Sequence, residues 1–136
     1  MPQDWSLPAV TPVSSAWFTS ATLALQHCAA CGVRQHPPEE ICHSCGGMDF
    51  DYRAVAPTGT VYSYTVAHYA VNRALADHVP YAVVLVSLDD APEVRVIGNI
   101  VGIDPAEVHI GMAVRALWER HEVDGDVVEL PLWEPA

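Results

Sequence analysis

Two Cys-x2-Cys pairs, a β-branched second half cut into short alternating segments, and a helix-start signal between the third and fourth of those segments predict a small, mainly-β protein. The expected order is an N-terminal arm and short helix over residues 1–25, a zinc ribbon over 26–50, and an OB-fold domain with a C-terminal tail over 51–136. The barrel should have five strands, with the short helix lying between strands 3 and 4, the element order of that partly open Greek-key architecture.

Residues 1–13 carry Pro2, Pro8 and Pro12 with little periodicity and read as an extended arm. Residues 14–25 read as a short helix: Ser14 or Ser15 supplies the cap, and Trp17, Phe18, Ala21 and Leu25 fall on roughly one face. Residues 26–50 hold all four cysteines among Gly, Pro and His with no apolar period, so this stretch needs a cross-link in place of a core. From Pro57 onward the texture changes to strands. Tyr62, Tyr64 and Val66 alternate with Ser63, Thr65 and Ala67 over 60–69, and 81–88 is an almost unbroken apolar run. Residues 93–101 alternate again, with Gly98 where a barrel strand bends. Asp104-Pro105-Ala106-Glu107 is a compact helix start, an acidic cap followed by Pro at the first position. Strands at 112–118 and 127–132 follow, with Asp124-Gly125 as the hairpin signal between them. The long connection 70–79 carries Arg73 and His78, and such loops commonly bear binding residues.

The cysteines are the most specific feature. Cys28 and Cys31, then Cys42 and Cys45, form two knuckles, each followed at once by a glycine, Gly32 and Gly46. Two intervening residues let a tight turn aim both sulfurs at one point, and the glycine tolerates the positive φ of that turn. Four thiolates at tetrahedral corners make a closed structural zinc site. Iron suits the same ligands and stays open on sequence alone. Two disulfides would call for an oxidising compartment, and a thioredoxin-type pair would need a βαβ setting that this pattern lacks. His27 and His43 neighbour cysteines but are surplus to a complete four-sulfur shell. His36, His68, His78, His109 and His121 show no metal-ligand spacing.

Composition bounds the function. With 51% hydrophobic residues the chain is expected to fold, and no apolar run approaches the roughly 20 residues of a membrane span. Residues 1–5 show no basic stretch leading into an apolar one, so no secretory signal is expected; with clustered cysteines this points to the cytoplasm. The formal charge is −11 and all six basic residues are arginines. Four thiolates and a dication would take the total to about −13. That balance repels polyanions. A single-stranded nucleic-acid binder stacking bases on Tyr62 and Tyr64 is therefore a disfavoured alternative, because it needs a basic groove. The other alternative is an enzyme in its own right, an acyl-CoA hydratase or thioesterase. No Gly-x-Ser-x-Gly elbow, phosphate loop or dinucleotide fingerprint supports it, and the acid pairs Asp89-Asp90 and Glu39-Glu40 read as turn residues. No catalytic residue is assigned.

The order of motifs resembles a known family. Trp17-Phe18 precedes the first knuckle, then come Pro37-Pro38, the second knuckle, the run from Gly59 to Val66, Pro80-Tyr81, Gly98-Asn99-Ile100 and Ile110-Gly111-Met112. These are similar to the rubredoxin-like zinc-ribbon plus OB-fold proteins catalogued as domain of unknown function 35, over roughly residues 14–120. The resemblance implies a non-catalytic partner of thiolase-superfamily enzymes, including acyl-CoA thiolases and lipid-transfer-protein-like aldolases that cleave steroid side-chain CoA esters. It also implies a CoA ester shared with the partner, and either a free subunit or a domain separated from a hydratase fusion. Trp5, Trp17-Phe18 and Trp133 are expected at partner surfaces, as aromatics that a small barrel would not bury. Arg34 and Arg73 are the candidate contacts for CoA phosphate, most of which the partner would supply.

Overall fold

The computed structural model describes residues 7–123 and 125–136. Its elements run α1 (Ser15–Thr19), β1 (Leu23–Cys28), β2 (Arg34–Gln35), β3 (Phe50–Val55), β4 (Thr58–Ala67), β5 (Tyr81–Leu88), β6 (Arg95–Asn99), β7 (Ala113–Val123) and β8 (Asp126–Pro135). Two 3-10 turns, Arg73–Leu75 and Pro105–Glu107, lie in the β4–β5 and β6–β7 connections. The architecture is mainly β: a three-stranded antiparallel sheet in the order β2-β1-β3, and a five-stranded sheet in the order β6-β5-β4-β7-β8.

The expected helix over 14–25 is cut to five residues. Thr19 Oγ1 donates to Ser15 O at 2.6 Å and Ser20 Oγ donates to Ala16 O, so both hydroxyls bond back onto the helix that they terminate. Ser14 does not cap it through its side chain; its Oγ instead accepts from Thr11 N at 2.9 Å. Ala21 then takes φ +50° and the chain turns into β1, where Leu23, Ala24, Leu25, Gln26 and Cys28 are all buried. The spacing of Phe18, Ala21 and Leu25 suits a helix, but burial on both faces of β1 suits the centre of a sheet better.

The barrel follows the expected order. β5 alternates cleanly, with Ala82, Val84, Val86 and Leu88 inward. β4 carries a bulge between Val61 and Ser63, which bends it enough to pair with both β5 and β7. Gly59 sits where a Cβ would come within 2.5 Å of Ser87 O and Val86 Cγ1, so β4 can cross β5 this closely only without a side chain. The two edge strands meet in parallel: Ile100 bridges Trp133, and Val101 N donates to Trp133 O at 2.8 Å. Trp133 fills the barrel interior at 0% exposure, against Gly98, whose missing Cβ would lie 3.1 Å from the indole. The helix start at Asp104 forms a 3-10 turn, in which Asp104 Oδ1 accepts from Ala106 N at 2.9 Å. β7 and β8 pair from Val114↔Pro135 to Val123↔Asp126; the Asp124-Gly125 hairpin signal falls partly outside the described residues, at Asp124.

Ribbon and barrel share one core. Trp17, Leu23 and Leu25 belong to the same buried cluster as Val61, Val84, Val96, Val114 and Trp133. Arg34 of β2 clasps the barrel, its Nε donating to Glu93 at 2.7 Å and its Nη1 to Asp90 O at 3.0 Å. Asp90 in turn accepts from Ala56 N at 2.9 Å.

Candidate metal centre

The four cysteines converge. Cys28 ends β1, Cys31 lies in the turn toward β2, and Cys42 and Cys45 occupy the second turn. Their sulfurs all lie within 4.8 Å of one another, with Cys28 Sγ 3.5 Å from Cys45 Sγ and Cys31 Sγ 3.6 Å from Cys42 Sγ. A tetrahedron with bonds of about 2.3 Å has edges of about 3.8 Å, so this spacing suits a tetrathiolate site. It is far longer than the ~2.05 Å of a disulfide, and all four thiols are free. The knuckles are built alike: Gly32 N donates to Cys28 O and Gly46 N to Cys42 O, each at 2.9 Å, with φ +77° and +75° at the two glycines. Gly47 leaves room for the cluster, since a Cβ there would stand 3.3 Å from Cys45 Sγ and 3.5 Å from Cys28 Sγ.

The electrostatics fit a cation. The backbone N–H of Cys45 leads the effects that hold the Cys42 thiol down to about 6, and the backbone N–H of Cys31 likewise lowers Cys28. Cys45 goes the other way: its bond from Gly47 N–H favours the thiolate, but the neighbouring Cys28 and Cys31 sulfurs outweigh it and push it up to about 12. Four thiolates so close cannot all ionise alone. A dication at their centre removes that conflict, and the donor set, all sulfur and closed, is that of a structural site. Cys28 and Cys42 are buried while Cys31 and Cys45 face solvent.

Neither flanking histidine enters the cluster. His27 Nδ1 is 3.1 Å from Leu25 O, and His43 is exposed, with its backbone N donating to Gln35 Oε1 at 3.0 Å. That second bond belongs to a network that sequence reasoning missed. The buried Gln26 and Gln35 face each other in the β1–β2 register, and Gln35 Nε2 donates to Gln26 Oε1 at 2.7 Å. Gln26 Nε2 donates to Glu39 O at 2.7 Å, Glu39 N returns a bond to Gln26 Oε1, and Tyr52 Oη donates to Val13 O. The second knuckle is thus held by side-chain amides in place of strand pairing, and two glutamines flanking the first knuckle were the available signal.

The aromatics expected at a partner surface are placed otherwise. Trp17 and Trp133 are core residues, because α1 folds onto β1 and β8 and the barrel closes around Trp133. Phe18 packs half-buried against the same core, and Trp5 lies outside the described residues. Among the described residues the exposed large apolar side chains instead include Tyr69 and Val71 in the β4–β5 loop, Met48 and Ile41 on the ribbon, and Ile97, Ile110, Tyr62 and Tyr64 on the barrel. The Arg95 guanidinium lies 3.8 Å from the centre of the Tyr62 ring. Arg34 is committed to its clasp, whereas Arg73 is exposed on its 3-10 turn. No helix among the described residues is long and apolar enough to cross a membrane.

Comparison with known proteins places this geometry. Residues 22–51 match the ChsH2 rubredoxin-like zinc ribbon domain, and residues 52–119 match the ChsH2 C-terminal OB-fold domain. A chain of the solved Ltp2-ChsH2(DUF35) aldolase is similar at TM-score 0.75 and 38% identity, over 95% of this chain and 98% of that one. A DUF35 domain-containing scaffold protein of Methanocaldococcus jannaschii is 34% identical over 73% of this chain and 69% of its own length. A probable enoyl-CoA hydratase alpha subunit of Thermomonospora curvata is 40% identical over 95% of this chain. The 3-oxo-4,17-pregnadiene-20-carboxyl-CoA hydratase alpha subunit of Mycobacterium tuberculosis is 34% identical over 76% of it. This chain spans only 39% and 31% of the lengths of those two hydratase subunits.

Proposed function

This chain belongs to the ChsH2 family of zinc-ribbon and OB-fold proteins, and from that membership we propose that it is a non-catalytic accessory subunit of a thiolase-like enzyme. The partner is an acyl-CoA thiolase or a lipid-transfer-protein-like aldolase, and the pair makes or breaks a carbon–carbon bond in a CoA ester, in steroid side-chain or other lipid degradation. The observation that carries this reading is the nearly end-to-end likeness to a chain of the Ltp2-ChsH2(DUF35) aldolase. The exposed Tyr69, Val71 and Ile110 offer the apolar anchors that such a complex requires.

In this reading Cys28, Cys31, Cys42 and Cys45 hold one Zn²⁺ as four thiolates. The ion supplies a cross-link where residues 26–50 provide little core, and it has no open position for chemistry. The partner contributes the groups that polarise the thioester or ketone carbonyl, and most of the contacts to CoA phosphates, since an acidic chain with six arginines has few cations to offer. The complex forms in the cytoplasm, where thiols stay reduced.

Co-expression with a thiolase-superfamily protein from the same genome tests the proposal. The two should elute together from a sizing column, with one zinc per copy of this chain by elemental analysis. Separate elution at micromolar concentration would overturn it. A second reading, that the chain is a portion of an enoyl-CoA hydratase, is favoured by the names of two relatives. Hydration of an enoyl-CoA by the purified chain alone would establish that reading instead.

A further inference from the structure

The seam where the barrel closes leaves a cleft. β6 and β8 meet at the Ile100–Trp133 bridge, and two positions earlier on β8 stands Pro131, which has no N–H to continue such a ladder. Over this seam lie α1 and the loop that begins at His36. Between them is a cavity of about 380 Å³, within the ~300–1,000 Å³ range of small-molecule sites. Trp17 and Phe18 form one wall, Leu130 and Leu132 the other, and Ile97 stands at the exposed rim.

Two properties of the lining point to a ligand class. In a chain that is 17% charged, the cleft has no Asp, Glu, Lys or Arg along its walls among the described residues. A charged ligand would lose its water there against surfaces that return little. The cleft also holds two polar side chains, His36 and Asn99, that make no hydrogen bond among the described residues. The His36 ring is instead fixed by the Trp17 indole, with centroids 4.3 Å apart and planes tilted by 45°. Burial keeps it neutral, with its titration lowered to about 4, so at neutral pH it presents one N–H donor and one acceptor.

We propose that this cleft binds a neutral, largely apolar small molecule carrying a single ketone, ester or hydroxyl oxygen. Its apolar body lies between Trp17, Phe18, Leu130 and Leu132, and its oxygen meets His36 or Asn99. The inference is independent of the accessory-subunit reading, because it rests on the cleft and not on a partner.

Titration calorimetry of the zinc-loaded chain with 2-decanone, decanoate and decylamine at neutral pH tests it. The three probes share a chain length and differ in charge. The ketone should bind with a Kd below about 1 mM, as expected for some eleven heavy atoms, and the two ions at least about tenfold more weakly. Ile97→Trp fills the rim without touching the core. It should weaken 2-decanone binding about tenfold or more while leaving circular dichroism and melting temperature unchanged. His36→Phe should weaken it about threefold or more. Failure of folded protein to bind 2-decanone, equal binding of all three probes, or indifference to Ile97→Trp would each overturn the proposal. So would loss of partner co-elution in Ile97→Trp without ketone binding by the parent chain, which would make the cleft a docking surface.

Discussion

Acid should destabilise this protein through His36, by an amount that follows from its burial. The imidazole is held down to about 4 from an ordinary 6.5 because folding takes it out of water against Trp17. In the unfolded chain it accepts a proton near 6.5, while the folded chain refuses one until about 4. Between those values the unfolded state binds more protons, so stability falls as pH falls. A shift from 6.5 to about 4 corresponds to about 3 kcal/mol in full, of which about 2 kcal/mol is lost between about pH 7 and about pH 5. The Cys42 thiol, held down to about 6, titrates in the same window, so the comparison must be made with His36→Phe. That change keeps an aromatic ring beside Trp17 and removes the proton. Urea unfolding of both zinc-loaded proteins at several pH values should show the wild type losing about 2 kcal/mol more than the variant over this range. Parallel pH dependences would refute the assignment of this acid sensitivity to His36.

Three further outcomes are expected. Cys42→Ser should leave the ribbon without metal and give insoluble or unfolded protein, since structural zinc contributes about 10–16 kcal/mol of apparent binding energy at neutral pH; a chelator should likewise lower the melting temperature of the wild type. Folded, metal-free protein with two disulfides by mass would contradict this. Trp133→Ala should cost about 3–5 kcal/mol by emptying the barrel interior, and Gly98→Ala about 1–3 kcal/mol by pressing a methyl group onto the indole, both read by chemical denaturation. Fluorescence anisotropy with short single-stranded DNA or RNA near physiological salt should show no binding at micromolar protein, because the net charge is −11. Sub-micromolar affinity falling steeply with salt would restore the nucleic-acid alternative.

What could be read from the sequence depended on whether local pattern and tertiary context agreed. The knuckles were legible because Cys-x2-Cys followed by glycine answers to one local geometry, seen in the positive φ of Gly32 and Gly46. The strands from β4 onward were legible because one face meets a core, as the alternation of β5 shows. The start of β1, Leu23-Ala24-Leu25, fits the end of a helix in sequence because it is buried on both faces, which erases a period of two and leaves a run that fits either state. β3 was missed because its burial is intermediate and irregular, being held mainly by pairing with β1. Trp17 and Trp133 were read as surface anchors because ribbon, α1 and barrel were weighed as separate small cores. Their shared core is a long-range fact that no local window contains.

The most direct test of the central claim is a reconstitution. This chain and the proposed thiolase-superfamily partner should each be purified, assayed alone with a CoA-ester substrate, and assayed again after mixing. The account predicts no turnover by this chain alone and carbon–carbon bond cleavage or formation by the mixed pair. Turnover of acyl-CoA by this chain alone, or a partner whose rate and elution are unchanged by its addition, would contradict it.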